Sequence, residues 1–124
     1  MTDNADARSA AEIVDEEWRL LLGGSHDLID GETVRAASAQ PRLRRLFPLV
    51  SHGVMYFSGC TGMPAAHVGG QVCPRGTDGR FRVRGPRGVR TLGRAETLEE
   101  AFALVVANLP EECGPAVLGG AGRV

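Results

Sequence analysis

The stretch from Arg42 to Pro64 changes its hydrophobic period halfway, and this change restricts the fold more than any other feature. Before Pro48, apolar residues recur at helical spacing; after it, they alternate as in a strand from Val50 to Cys60. Met55 and Phe57 form the apolar side of this predicted strand. The other side carries, in order, His52, Val54, Tyr56, Ser58 and Cys60. Four of these side chains can take part in chemistry: an imidazole, a phenol, a hydroxyl and a thiol. Such a row indicates a functional site.

Helices are predicted at both ends of the chain. A capping box at Ser9–Glu12 opens a helix that runs to about Leu22. The segment Glu32–Ala39 has a helical pattern, and Pro41 can open a short helix through Phe47, which Pro48 ends. A second capping box begins the helix Thr97–Leu109.

The middle of the chain predicts strands joined by turns. Val50–Ser58 is the clearest strand, and Val68–Cys73 is weaker because it contains two glycines. Thr77-Asp78-Gly79 is a hairpin turn signal before Arg80–Arg84, and Val89–Leu92 is a further short strand. We therefore expect an α+β fold: a small antiparallel meander with an N-terminal helical segment and a C-terminal helix packed on one face. Residues 1–124 are expected to form one domain, with 1–8 and 114–124 flexible or ordered by a partner.

Composition excludes some classes of partner. The net charge of −1 and the absence of a long apolar run argue against nucleic-acid and membrane binding. All 14 basic residues are arginines, and ten of them cluster at 42–45 and 75–94. These clusters fit either a solvated surface or a face that binds carboxylate or phosphate. Three cysteines without a signal peptide predict a cytoplasmic protein. A small core with 17 glycines favours a homodimer.

No cofactor is predicted. His52, Cys60, His67 and Cys73 lack the short ligand spacing of structural zinc sites, so we expect no metal. The loop Gly59–Gly62 matches no phosphate-binding motif, which argues against a nucleotide.

Cys60 and His52 do not form a nucleophile and base pair in one straight strand. Eight residues separate them, which is about 26 Å of extended chain. We therefore interpret Cys60 as a turn residue. His52 is either structural or a base in a cleft lined by Tyr56 and Ser58.

Two stretches resemble a known family. They read RLRRLFPLVSHGVMYFSGCTGMP at Arg42–Pro64, and LGRAETLEEAFALVVANLP at Leu92–Pro110 with GPAV at Gly114–Val117. Both resemble a small actinobacterial family tied to natural-product gene clusters. That family includes the lysinoalanine-forming proteins of cinnamycin- and duramycin-type lantibiotics.

The resemblance implies a role in antibiotic biosynthesis. It implies a cofactor-independent lysinoalanine synthase that adds a lysine amine of a modified precursor peptide, a lanthipeptide, to dehydroalanine. Such a protein works mainly by binding and positioning its peptide. In this chain His52 would be catalytic, and an arginine would hold a substrate carboxylate. The substrate-binding residues would be Arg45, Phe47, Tyr56, Ser58, Arg82 and Arg84.

Two other functions stay open. The chain can instead be a non-catalytic binding or self-resistance protein that sequesters a product of its gene cluster. It can also be a small accessory protein that stabilises a partner enzyme. Family resemblance alone does not transfer an activity.

Overall fold

A computed structural model describes residues 9–24, 29–51, 53–86 and 90–120. Within these ranges the strands form one antiparallel sheet in the order β1-β2-β3-β4-β5. This arrangement confirms the predicted α+β meander with flanking helices. The elements are α1 (Ala10–Leu22), α2 (Gly31–Ser38), α3 (Pro41–Arg44), β1 (Phe47–Ser51), β2 (Val54–Ser58), β3 (His67–Arg75), β4 (Phe81–Arg84), β5 (Thr91–Ala95) and α4 (Leu98–Ala107).

Helix α1 begins at the predicted capping box. The backbone N–H of Glu12 donates to Ser9 Oγ at 3.2 Å, and the Glu12 carboxylate accepts from the Ser9 N–H at 2.9 Å. These bonds satisfy amide donors that a helix start otherwise leaves unpaired. Trp18 is fully buried, and its Nε1 donates to the carbonyl of Leu46 at 3.0 Å. This bond joins α1 to the chain just before β1.

The predicted strand Val50–Ser58 is wrong as a single element. The chain reverses between Ser51 and Val54, and Gly53 has a φ of 78°, which suits glycine in a tight turn. Alternation continues through both strands of the hairpin, so the periodicity did not reveal the reversal. Pro48 lies inside β1 instead of ending a helix; a proline is tolerated there because β1 is an edge strand.

The core lies between the helices and one side of the sheet. Trp18 stacks on Phe57 of β2 with ring centroids 6.3 Å apart, and Phe57 meets Phe102 of α4 edge-on at 6.1 Å. Met55 and Val83 are fully buried on the same side of the sheet. Because α1 contacts β1 and α4 contacts β3, β4 and β5, the described helices cover one face of the sheet, and none of them lies over the other face, which we call uncovered in this sense.

Strand β3 contains a bulge at Gly69-Gly70. Met55 pairs with Val72 and Phe57 with Val68, so β3 advances four residues where β2 advances two. A Cβ on Gly69 would lie 2.9 Å from Leu109 Cδ2, and one on Gly70 would lie 2.4 Å from the carbonyl oxygen of Arg84. Both glycines also have positive φ, 79° and 144°. The two glycines therefore let α4 and β4 approach β3 closely.

The C-terminal segment, residues 110–120, packs against the loop that follows β2. Thr61 N–H donates to the Val117 carbonyl at 2.9 Å, Gly62 N–H to Gly119 at 2.8 Å, and Val117 N–H to Gly59 at 3.0 Å. The sequence predicts no regular structure here, because these bonds are long-range and leave no periodic pattern. Residues 1–8 and 121–124 lie outside the described residues.

We predict that Gly70→Ala lowers the free energy of unfolding by about 3 kcal/mol, because the methyl group meets the Arg84 carbonyl and the backbone has positive φ. Urea denaturation measures this loss. Gly114→Ala is the matched control: a Cβ there has no neighbour within 4 Å, so the change should stay within about 0.5 kcal/mol. Equal midpoints for the two variants would contradict the packing described for the bulge.

Candidate functional site

The uncovered side of the sheet is the best candidate site. Leu49 pairs directly with Tyr56, and these two residues share a face because they lie opposite each other. Val72 and Val83 pair on the buried side, so their neighbours in β3 and β4 point to the uncovered side. We call this surface the open face. Its residues include Phe47, Leu49, Val54, Tyr56, His67, Gln71, Cys73, Arg82, Arg84 and Arg94.

Four of the predicted site residues share the open face. Phe47 and Tyr56 lie in β1 and β2, and Arg82 and Arg84 lie in β4. Sheet pairing brings these residues to one surface although they are far apart in sequence. His52, the predicted catalytic residue, lies outside the described residues.

Ser58 does not line an accessible groove. It is fully buried, and its Oγ accepts hydrogen bonds from the N–H of Cys60 at 3.2 Å and of Ala66 at 3.0 Å. The side chain therefore holds together the ends of the loop between β2 and β3. Alternation placed Ser58 beside Tyr56 but could not show that this loop covers it.

Cys60 is buried in the same loop. Its Sγ lies 3.5 Å from Ser58 Oγ and 3.6 Å from the carbonyl oxygens of Gly62 and Pro64. Its backbone pairs with Val117 as a parallel bridge. This placement agrees with the interpretation of Cys60 as a turn residue.

Arg45 lies apart from the open face. It is the C-cap residue of α3, and its Nη2 donates to the carbonyl of Cys113 at 2.9 Å. Its own carbonyl accepts from Ala116 N–H at 3.0 Å, and Arg42 donates to the carbonyl of Pro110 at 2.9 Å. Arg45 and Arg42 therefore attach the C-terminal segment to α3.

His67 was not predicted as a site residue, yet it lies on the open face, at the start of the central strand β3. It pairs with Ser58 across β2 and β3, and its ring meets Tyr56 edge-on with centroids 5.8 Å apart. Its Nδ1 is buried and has no hydrogen-bond partner among the described residues. Predicting this contact requires the register between β2 and β3. The bulge shifts that register, so the sequence pattern alone does not predict it.

Strands β4 and β5 contribute three arginines to the open face: Arg82, Arg84 and Arg94. Arg82 lies directly opposite Arg94, and two like charges in this position repel each other. Arg94 Nε is 3.6 Å from Asp78, whereas Arg82 and Arg84 form no ion pair with another described residue. Arg84 Nε is buried without a partner in the described part of the chain. An anion bound here would relieve the repulsion between the guanidinium groups.

Asp78 is the acidic neighbour of this group. The pKa of Asp78 lies below its usual value, chiefly because the backbone N–H of Arg80 donates to the carboxylate at 3.0 Å. Desolvation opposes this shift, and the charge of Arg94 adds to it. Asp78 therefore stays ionised and pairs with Arg94, which leaves the other two arginines of the group free for an anion.

A concave surface lies on the other side of the sheet. This helix-side groove has a volume of about 870 Å³ and runs between α2, the ends of β3 and β4, and the start of α4. Charges of both signs surround an apolar floor, so the groove selects no single ligand charge. Its lining includes Asp30, Arg35, Val72, Phe81, Leu98 and Glu99.

The described residues contain neither a metal-binding cluster nor a membrane-spanning helix. No three His, Cys, Asp or Glu side chains in this part of the chain come together as metal ligands. None of its helices has the length and apolar character that a membrane crossing requires.

The comparisons with known proteins identify a family. A model of a family of unknown function (DUF6193) matches residues 12–120, so the chain belongs to that family. The family description names no activity. Neither the curated proteins nor the solved structures contain a significant match.

We predict that Ser58→Ala costs about 2 kcal/mol of stability, because two backbone N–H groups lose their acceptor. Ser38→Ala is the control, since that hydroxyl donates to an exposed helix carbonyl and its loss should cost less than about 0.5 kcal/mol. Thermal and urea unfolding of both variants measure the difference. If Ser58→Ala were as stable as the control, the structural role of this hydroxyl would be refuted.

Proposed function

We propose that this member of the DUF6193 family binds a modified precursor peptide across the open face and promotes its lysinoalanine closure. The observation that carries the proposal is the combination of an apolar half and a basic half on one uncovered sheet surface. The lysinoalanine chemistry rests on the family resemblance of the sequence, and the binding surface rests on the fold.

The apolar half suits a peptide with hydrophobic side chains. Leu49, Val54 and Tyr56 are half-buried neighbours in β1 and β2, with Phe47 at the start of β1. Covering such a surface is favourable by about 25 cal/mol for each Å² of apolar area removed from water. A ligand on this half gains affinity without a specific hydrogen-bond pattern.

The basic half suits a carboxylate of the same peptide. Arg82 and Arg84 lie two residues apart on one strand and share a face. A guanidinium group binds a carboxylate through two parallel hydrogen bonds, which fixes orientation as well as affinity. A peptide anchored at its carboxylate and covered by the apolar half is held in one orientation.

Holding the peptide is itself a route to rate enhancement. Addition of a lysine amine to dehydroalanine within one peptide requires the nitrogen and the alkene carbon to meet. A surface that favours the peptide conformation in which these two atoms lie close together makes their encounter more frequent and so speeds the addition. No residue of the protein has to react covalently with the substrate.

The homodimer and the cytoplasmic location predicted from the sequence are part of this proposal. A second copy would extend the surface available to a peptide of about twenty residues, which is larger than one open face comfortably covers.

Sequestration is the second candidate function. One observation favours it: no open-face residue is acidic, so this surface offers no carboxylate as a general base. A protein that only captures a product needs the apolar and basic halves and no base. It would bind the closed product at least as tightly as the open precursor.

The test uses the full chain and a dehydrated, thioether-bridged cinnamycin-type peptide. We expect binding and faster closure, followed by trypsin resistance and by loss of alkylatable dehydroalanine. Binding without faster closure would overturn the catalytic part and support sequestration. Absence of binding would overturn the whole proposal.

We predict that Arg84→Gln weakens peptide binding about tenfold, because one charge-assisted hydrogen-bond pair is lost. Isothermal titration calorimetry measures the dissociation constant. Arg19→Gln is the matched control, since Arg19 is exposed on α1 and pairs there with Asp15. Equal affinities for the two variants would exclude Arg84 from the binding site.

A further inference from the structure

We infer that the neutral imidazole of His67 carries its hydrogen on Nε2 and that this N–H donates to a carbonyl oxygen of the peptide on the open face. The inference rests on the proposed function for the identity of the ligand. The choice of tautomer follows from the contacts of His67 alone.

The surroundings of His67 fix the ring. The residue lies in β3 opposite Ser58, and its ring packs edge-on against Tyr56 at 5.8 Å. One ring nitrogen, Nδ1, is buried and has no partner among the described residues. The other nitrogen, Nε2, is not among the buried polar atoms without a partner, and no hydrogen bond to a described residue engages it. Nε2 is therefore the nitrogen that a ligand can reach.

This asymmetry decides which nitrogen carries the proton. In a neutral imidazole one nitrogen is a donor and the other an acceptor. A proton on Nδ1 would bury an N–H group without an acceptor, which is costly. A proton on Nε2 leaves that donor free to reach solvent or a ligand. The favoured tautomer is therefore the one in which Nε2 carries the hydrogen.

Such a donor matches the charge that develops in the proposed reaction. The lone pair of the neutral lysine amine forms the N–Cβ bond, and the alkene electron pair of dehydroalanine moves toward its carbonyl oxygen. A proton from the attacking nitrogen then passes to Cα, so atoms and electrons balance without another reactant. His67 donates to the carbonyl oxygen as it becomes negative, and it is not consumed.

Gln71 and Arg84 extend the same set of donors. Gln71 follows His67 along β3 after the bulge and pairs directly with Arg84 of β4. Arg84 Nε is buried without a partner among the described residues, like Nδ1 of His67, so only the outer nitrogens of this guanidinium group are available to a ligand. His67 is then the neutral donor for a carbonyl, and Arg84 the charged donor for a carboxylate.

The first test needs no peptide. In protein with ¹⁵N-labelled histidine, the resonances of His67 are assigned by their loss in His67→Gln. We expect a pyridine-type Nδ1 and a pyrrole-type Nε2 in the neutral ring, recorded at alkaline pH. A pyrrole-type Nδ1 would overturn the inference, whatever the protein binds.

The second test uses the closure assay. We expect His67→Leu to slow closure about 10²-fold, as for loss of one oxyanion donor, and His67→Gln to retain most of the rate because its amide also donates. Thermal unfolding and peptide affinity show whether both variants fold and bind. Closure by folded His67→Leu at the wild-type rate would overturn the donor role. If the wild-type chain binds without closing its peptide, the proposed catalytic function fails while the tautomer result stands.

Discussion

The close contact of β3 with α4 and β4 is the constraint on which the rest of the structure depends. Gly69 meets Val105 of α4 and Leu109 just after it, and Gly70 meets the carbonyl of Arg84. Asn108 at the end of α4 donates to the carbonyl of Gly69 at 2.9 Å and closes the same contact from the helix side. A residue with a Cβ at either position would separate the layers.

The bulge also determines which side chains share the open face. Two extra residues in β3 place His67 beside Ser58 and Tyr56 at one end, and Gln71 beside Arg84 at the other. The Tyr56–His67 pair and the guanidinium groups therefore share the open face, and the helices lie on the opposite side. The same packing that stabilises the core thus arranges the donors of the candidate site.

Local signals in the sequence predicted much of the fold, and long-range contacts explain what it missed. The capping residues Ser9 and Thr97 predicted the starts of α1 and α4 correctly, because a cap acts within one helical turn. The reversal at Gly53 left alternation intact, so one predicted strand became a hairpin. Four predicted site residues share the open face: Phe47, Tyr56, Arg82 and Arg84. The burial of Ser58 depends on the loop after β2, and the position of His67 depends on the bulge in β3. No local sequence pattern encodes either feature.

The most direct measurement is chemical-shift mapping of the ¹⁵N-labelled chain titrated with a dehydrated, thioether-bridged cinnamycin-type peptide. Two surfaces compete as the binding site: the open face and the helix-side groove. We predict that the peptide shifts the resonances of Tyr56, His67, Gln71 and Arg84 and leaves those of Ala36 unchanged. Shifts confined to Ala36 and the other residues of the helix-side groove, or no shifts at all, would contradict the assignment of the open face as the binding surface.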